Sequence, residues 1–305
     1  MITHLHERPV RPARVVVLGT GFIGAELIRR FAEEGIATLD LSRTAVDLCD
    51  AGAAEALRRQ VRTDDALVIT SALTPDRGKD VGTLMKNLAM GATLCAFLQQ
   101  AACAHVVYIS SDAVYADTAN PVHEGLPGDP GSLHGLMHLA RERVLAHALA
   151  ASKTPFLALR PCPVYGPGDP HNSYGPNRFL RTALADGTIT LFGNGEEQRD
   201  HLYLSDLSRL IVQCVWHRSA GVLNAATGAS VSFARVAELV AAACGGAVRI
   251  STTPRQSPLT HRFMRITACL NAFPAFRYTP LPEGLAETLG NTPPAPATVL
   301  SAEGR

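Results

Sequence analysis

The chain has 305 residues, 47% of them hydrophobic, and a formal net charge of +1. That is enough apolar material for one large domain or two coupled ones, and so balanced a charge gives no reason to expect nucleic acid or an anionic membrane surface as a partner. The seven cysteines are scattered, odd in number and without a C-x-x-C pair, which argues against a disulfide framework or a zinc site and for a reducing compartment, the cytoplasm.

Residues 1–13 lack the apolar core of a signal peptide and read as a disordered leader. No apolar run reaches membrane-spanning length, so no membrane partner is expected. The organising stretch is RVVVLGTGFIG, 14–24. Its β-branched run 15–18 reads as a buried parallel strand, and a helix is expected over 25–31. Between them stand Gly19, Gly21 and Gly24 at G-x-G-x-x-G spacing. The first glycine permits the tight turn, the second lets backbone approach a pyrophosphate, and the third lets helix and sheet pack closely. Phe22 and Ile23 complete this cofactor turn, where free N–H groups and the positive helix end favour an anion. A second strand, 36–41, carries Asp40 roughly 20 residues after Gly19, where an acid would bind a ribose 2′-hydroxyl. A carboxylate there repels a 2′-phosphate and favours NAD; Arg43 could instead bind that phosphate, so NADP stays open.

Helices over 53–61, 81–102 and 133–151 alternate with strands over 66–72, 105–111 and 156–164. This alternation predicts an α/β fold, a Rossmann-type doubly wound parallel sheet filling a dinucleotide-binding domain over 14–166. A turn-rich loop, 166–176, then leads to shorter elements: helices over 177–185, 204–216 and 233–244, and a strand over 188–192. They predict a smaller C-terminal α/β substrate lobe over 167–290, interleaved with the first domain, and a ligand cleft at the carboxyl ends of the strands. The Pro/Ala-rich tail, 291–305, reads as disordered.

Several pieces together resemble the extended short-chain dehydrogenase/reductases, specifically the NAD-dependent epimerase/dehydratase family that remodels nucleotide sugars. They are GTGFIG (19–24), VDLCD (46–50), VITSA (68–72), YISSDAVY (108–115), LRPCPVYGPG (159–168) and LFGNGEEQRDHLYLSDL (191–207). Leu18 stands where such chains usually carry a further glycine. The resemblance implies that Asp47 and Leu48 edge the adenine, that Ser71, Ala72 and Leu73 line the cofactor, and that Asn87 lies near the active site. Arg199, in the G-N-G-x-x-x-R-D element, matches the arginine that grips the substrate diphosphate, a role that suits a guanidinium; the other reading pairs it with Asp200. Arg262 is a second candidate, and Asn177 joins them in substrate binding. Pro163 replaces an asparagine that touches substrate in several relatives. The resemblance also implies a homodimer built on the helices 81–102 and 133–151.

Family members use Ser/Thr, Tyr and Lys, the last two as Y-x-x-x-K, in which the lysine tunes the tyrosine and holds the nicotinamide ribose. Here the Tyr and Lys positions hold His134 and His138, one helix face apart by four residues. Several readings stay open. His134 could be the acid/base, since histidine titrates near neutrality, with His138 bonding the ribose. Asp112 could carry the proton, because SSDAVY resembles the S-T-D-E-V-Y of dTDP-glucose 4,6-dehydratase, although Ala113 replaces its glutamate. The site could be inactive. A metal held by the two histidines lacks a third ligand, so none is expected. Ser111 matches the Ser/Thr that bonds the reacting hydroxyl, or simply caps the strand end. Tyr115 and Tyr165 are alternative proton donors or core residues. The expected function is an NAD(P)-dependent nucleotide-sugar epimerase, dehydratase or keto-reductase; the alternative is an inactive NAD-binding regulatory or scaffold protein.

Overall fold

The structure, a computed structural model, describes residues 2–290 and divides into two compact units. The first holds the chain up to Val164 together with Gln198–Ser230 and Thr260–Tyr278. Its elements run β1 (Thr3–His4), β2 (Arg14–Leu18), α1 (Phe22–Glu33), β3 (Ala37–Leu41), α2 (Ala53–Gln60), β4 (Ala66–Ile69), α3 (Val81–Leu98), β5 (His105–Ile109), α4 (Leu133–Leu149) and β6 (Phe156–Pro161). A helix, Leu204–Trp216, and a strand, Ser219–Ala225, follow.

These strands form one sheet of seven, in the order β1, Ser219–Ala225, β6, β5, β4, β2, β3. All pairs are parallel except the one made by β1. The strand interiors are continuously apolar because both faces are covered. Val15 and Val17 of β2 point into one core with Leu27, Phe31 and Leu207, and Val16 and Leu18 into the other with Leu94, Phe97 and Leu145. From β2 the chain steps to β3 on one side and then crosses to β4 on the other. The carboxyl ends of β2 and β4 therefore meet at a topological switch point, the place where such sheets bind ligands.

Three expectations change. The leader is ordered at its start: Thr3 and His4 pair antiparallel with Ala220 and Ser219, and the His4 ring bonds Ser219 Oγ at 2.9 Å and the Ala272 carbonyl at 3.2 Å. Polar residues alone read as leader because their partners lie some two hundred residues away. The strand Ser219–Ala225 escapes the sequence reading because Ala220 and Gly221 break its apolar run. Finally, α3 is long and apolar enough to cross a membrane by length and composition, with only 28% of it buried.

The second unit comprises Tyr165–Glu197, Val231–Leu259 and the described residues from Thr279 onward. In it Thr188–Phe192 pairs in parallel with Arg249–Thr253, beside helices Pro176–Asp186, Phe233–Ala243 and Leu281–Gly290. Of the lobe expected over 167–290, the segments Gln198–Ser230 and Thr260–Tyr278 thus belong to the first unit. The tail expected to be disordered, 291–305, lies outside the described residues.

A buried polar network ties α4 to the sheet. Glu142 receives two bonds from Arg160, Nε at 2.9 Å and Nη2 at 2.6 Å, and one from Ser110 Oγ at 2.5 Å. Arg160 Nη1 donates to Tyr115 Oη at 2.8 Å, and Tyr115 donates to Asn224 Oδ1 at 2.8 Å. Glu142→Gln leaves the buried guanidinium without its counter-charge. We expect it to lower unfolding free energy by about 3–5 kcal/mol, read from urea denaturation. Stability should also depend on acid through His105. Its side chain is fully buried, with Nε2 2.7 Å from the Ser219 carbonyl, and burial pushes its pKa from 6.5 down to about 4. The unfolded chain therefore takes up a proton near 6.5 while the folded one refuses it until about 4. Stability should be full above that window and fall by ~3 kcal/mol across it, with His105→Gln flattening the slope.

Candidate active site

The turn after β2 is built from bare backbone. Gly19 has φ +105°, and a Cβ there would sit 2.8 Å from both Ser71 N and Thr70 Oγ1. A Cβ on Gly24 would overlap the Gly19 carbonyl oxygen. Gly21, the N-cap of α1, offers no side-chain cap, and the positive end of the helix there favours an anion. Gly24 lies inside α1, which begins three residues earlier than expected.

The loop after β4 faces this turn. Asn87 holds it from behind: Leu73 N donates to its Oδ1 at 2.9 Å, and its Nδ2 donates to the Leu73 carbonyl at 3.0 Å. Asn87 is buried, so it shapes the segment Ser71, Ala72, Leu73 rather than reaching past it. Arg141 Nη1 braces the same loop through the Ser71 carbonyl at 2.8 Å.

The other cofactor candidates divide. Asp40 is exposed on β3, one residue before its end. Arg43 is committed to Asp47, with Nε 2.9 Å from Oδ2, and Asp47 Oδ1 accepts Cys49 N at 3.0 Å. This pairing lowers the Asp47 carboxyl pKa, the bond from Cys49 N first and Arg43 next. Leu48 is core, and its carbonyl accepts Thr93 Oγ1 at 2.8 Å.

The start of α4 carries the two histidines. Ser132 caps the helix, its Oγ accepting Gly135 N at 3.1 Å. Gly135 lets α4 approach the single turn Asp112–Val114, because a Cβ there would overlap the Ala113 carbonyl oxygen. His134 and His138 stand edge to face, ring centres 4.6 Å apart. His134 is partly exposed; burial lowers its pKa, so it is neutral at neutral pH. His138 is buried, and its Nδ1 lies 2.7 Å from Tyr108 Oη. Burial, and after it the neighbouring His134 and Arg141, hold its pKa well below 6.5. His134 lines a cavity of about 300 Å³ with Leu73, Lys79, Thr83, Asn87 and Ser132. Among the described residues no cluster of His, Cys, Asp or Glu suits a metal ion.

Ser111 caps the turn: its Oγ accepts Ala113 N at 3.1 Å and donates, at a long 3.5 Å, to Asp112 Oδ1. Asp112 is held by Arg262, whose Nη1 donates to the Asp112 carbonyl at 2.8 Å and to Oδ2 at 3.3 Å. Burial raises the Asp112 carboxyl pKa against the pull of Arg262. Nη2 of Arg262 goes to the Ala116 carbonyl and Asp117, so this arginine pins a loop and is not set out to grip a diphosphate. Arg199 is half-buried and leans on Thr260, donating to its carbonyl and, at 2.9 Å, to its Oγ1. Asp200 turns elsewhere, accepting Thr227 and Gly228 N–H groups. Asn177 belongs to the second unit, its Oδ1 accepting Gly166 N at 3.3 Å. Tyr115 and Tyr165 are both buried. Sequence reasoning passed over Tyr108 and Arg141; a tyrosine near the end of a buried strand and an arginine one turn after His138 were the signals.

Residues 15–226 match the profile of the NAD dependent epimerase/dehydratase family. An uncharacterized UDP-glucose epimerase of Bacillus subtilis is 32% identical over 102 residues, 33% of this chain and 31% of that protein. A dTDP-4-dehydro-6-deoxy-D-allose reductase of Streptomyces bikiniensis is 31% identical over 137 residues, 43% of this chain and 41% of that protein. The chain thus matches less than half the length of these relatives. The crystal structure of Thermus thermophilus UDP-glucose 4-epimerase complexed with NAD has the same fold, with a TM-score of 0.80, 23% identity, and 91% of this chain and 98% of that one covered. With a profile match running from β2 through the strand Ser219–Ala225, this chain belongs to the NAD dependent epimerase/dehydratase family.

Proposed function

We propose that the chain is an NAD-dependent enzyme that oxidises and reduces a carbon of a nucleotide sugar, as an epimerase, dehydratase or keto-reductase. The observation that carries this is His134, a neutral imidazole lining a cavity that reaches the cofactor loop at Leu73 and Asn87. The cofactor fits the residues present: the Gly19 and Gly24 positions admit no side chain, and the opening of α1 has no side-chain cap. Asp40, exposed near the end of β3, would take the adenosine ribose. Arg43 already pairs with Asp47, which favours NAD over NADP. NAD, when bound, supplies the hydride acceptor.

The chain's own residues do the rest. A ring nitrogen of His134 takes the proton of the sugar hydroxyl as the carbon is oxidised and returns it on reduction. Ser111 Oγ, fixed by Ala113 N, donates to the same hydroxyl oxygen and orients it. His138 bonds the nicotinamide ribose. Asp112 is the weaker candidate for the proton, since Arg262 holds its carboxylate. Arg199 remains the candidate to meet the diphosphate, a role that suits a guanidinium. Seven free cysteines fit a reducing compartment, and we place the enzyme in the cytoplasm.

The test is proton NMR of the protein with NAD and a panel of UDP-, GDP-, dTDP- and CDP-sugars. A new sugar signal is expected. His134→Ala should cut kcat at least about 100-fold and Asp112→Asn by much less. In the oxidative direction kcat should be level above pH 6.5, the ordinary histidine value, and fall in acid as His134 gains a proton. Tight NAD binding without turnover across the panel would instead support a regulatory or scaffold protein.

We also propose a homodimer through α3 and α4. Val81 and Met85 on α3 and Leu136 and Val144 on α4 are exposed apolar residues on two helices packed side by side, a face that a two-fold contact would bury. Sedimentation should show a dimer, and Met85→Glu with Val144→Glu should make it a monomer. A monomer in the unaltered chain would refute this.

A further inference from the structure

Tyr108, His138 and Arg141 form a buried group that the mechanism above uses only at its outer end. Tyr108, next to last in β5, turns its side chain to α4, and its hydroxyl has two neighbours. One is His138 Nδ1 at 2.7 Å; the other is Met137 Sγ at 4.0 Å. A phenol proton offered an imidazole nitrogen in contact and a distant thioether goes to the nitrogen, the stronger acceptor. Were Nδ1 to carry the proton, Tyr108 would have to turn its own toward that sulfur in a fully buried site. Among the described residues the other ring nitrogen, Nε2, has no hydrogen bond, and His138 itself is buried. Arg141 lies beneath, its guanidinium carbon 5.0 Å from the centre of the Tyr108 ring. Its side chain is fully buried, and among the described residues Nε and Nη2 have no hydrogen-bond partner. Gly91 on α3 makes the room, since a Cβ there would press on Arg141 Cγ at 3.2 Å.

We propose that Tyr108 and Arg141 are positioning residues that lock His138 as a neutral imidazole with its proton on Nε2, so that it presents one N–H donor to a ligand hydroxyl oxygen. Tyr108 fixes the tautomer by donating to Nδ1. Arg141 fixes the charge, because a second cation beside a permanent one is disfavoured. The titratable and charged groups packed around the ring bear this out by element. On α4 they are His134, Arg141 and Glu142; Arg160 on β6 closes on Glu142. Asp112, in the turn against α4, is engaged by Arg262, and Cys95 on α3 faces Arg141 with its thiol pKa raised by burial. No carboxylate is left over to stabilise an imidazolium. Burial, and after it the neighbouring His134 and Arg141, accordingly depress the His138 pKa. That the hydroxyl belongs to a ribose rests on the proposed function; the locked tautomer does not.

The test is long-range proton–nitrogen NMR of the full chain labelled with ¹⁵N-histidine, the His138 signals being assigned by their loss in His138→Gln. The unaltered chain at pH 7 should show His138 as a single neutral tautomer protonated at Nε2. In Tyr108→Phe the Nδ1 signal should move toward the average of the two tautomers. Arg141→Met should raise the His138 midpoint by about one pH unit or more, and Arg141→Lys should keep it low. An Nδ1-protonated or charged His138 in the unaltered chain would overturn the proposal, and no variant is needed to see it. An unmoved midpoint in a folded Arg141→Met chain would remove Arg141 from it. Because the readout needs neither cofactor nor substrate, a locked tautomer in a chain without turnover would fail the proposed function and leave this inference standing.

Discussion

Where α4 stands is decided by the pair between Glu142 and Arg160. Two opposite charges removed from water lose more in hydration than their attraction returns unless the geometry is close and the remaining bonds are made. Both conditions hold. The contact is two-pronged, Ser110 adds a second bond to Glu142 Oε1, and Tyr115 takes up the remaining terminal nitrogen of Arg160. Asn224 extends the chain of bonds to the neighbouring strand. The helix is thereby fixed to three strands at once. His138 and His134 lie four and eight residues before Glu142, so they share its helix face. Their orientation is inherited from a bond that touches neither of them.

The cofactor side rests on a steric constraint. Between the ends of β2 and β4 the backbone of Gly19 passes so close to Thr70 and Ser71 that no side chain fits, and Thr70 Oγ1 donates to the Gly19 carbonyl at 2.6 Å. Asn87 and Arg141 then hold the Ser71–Leu73 segment from the far side. The two halves of the site are linked through Arg141, which touches the cofactor loop with one nitrogen and lies under the Tyr108 ring that carries His138.

What the sequence discloses is what local chemistry determines. The run Val15–Leu18, the three glycines after it and the alternation of apolar strands with helices are short-range patterns, and the sheet follows them. The partners of Arg43, Arg199 and Arg262 were not legible, because a motif names a residue type and says nothing of what it pairs with. Arg262 is tied to a residue 150 positions earlier, and Arg199 to one 61 positions later. In α4 the pattern misleads outright. His138, Arg141 and Glu142 point inward while Leu136 and Val144 point out, so polarity along the helix gives no hint of which face is core. Tyr108 was hidden for the opposite reason: in an apolar strand an aromatic ring reads as packing, and only the position of its hydroxyl shows otherwise.

On the proposed function, histidine in place of tyrosine changes what the acid/base group must do. A phenol near its ordinary pKa cannot take a proton at neutral pH unless a nearby cation lowers that pKa. An imidazole whose pKa burial has lowered is already unprotonated, so it needs no tuning cation, and the chain sets its buried cation, Arg141, behind the loop instead. The cost falls on the other half of the cycle. Once His134 carries the proton it is a cation in a confined site beside His138, with Arg141 a turn further on, and the same neighbours that keep His138 neutral favour giving the proton back. Such a group suits chemistry that borrows a proton and hydride and returns both within one turnover. It suits less well a net oxidation, in which the proton must be kept until it escapes to water.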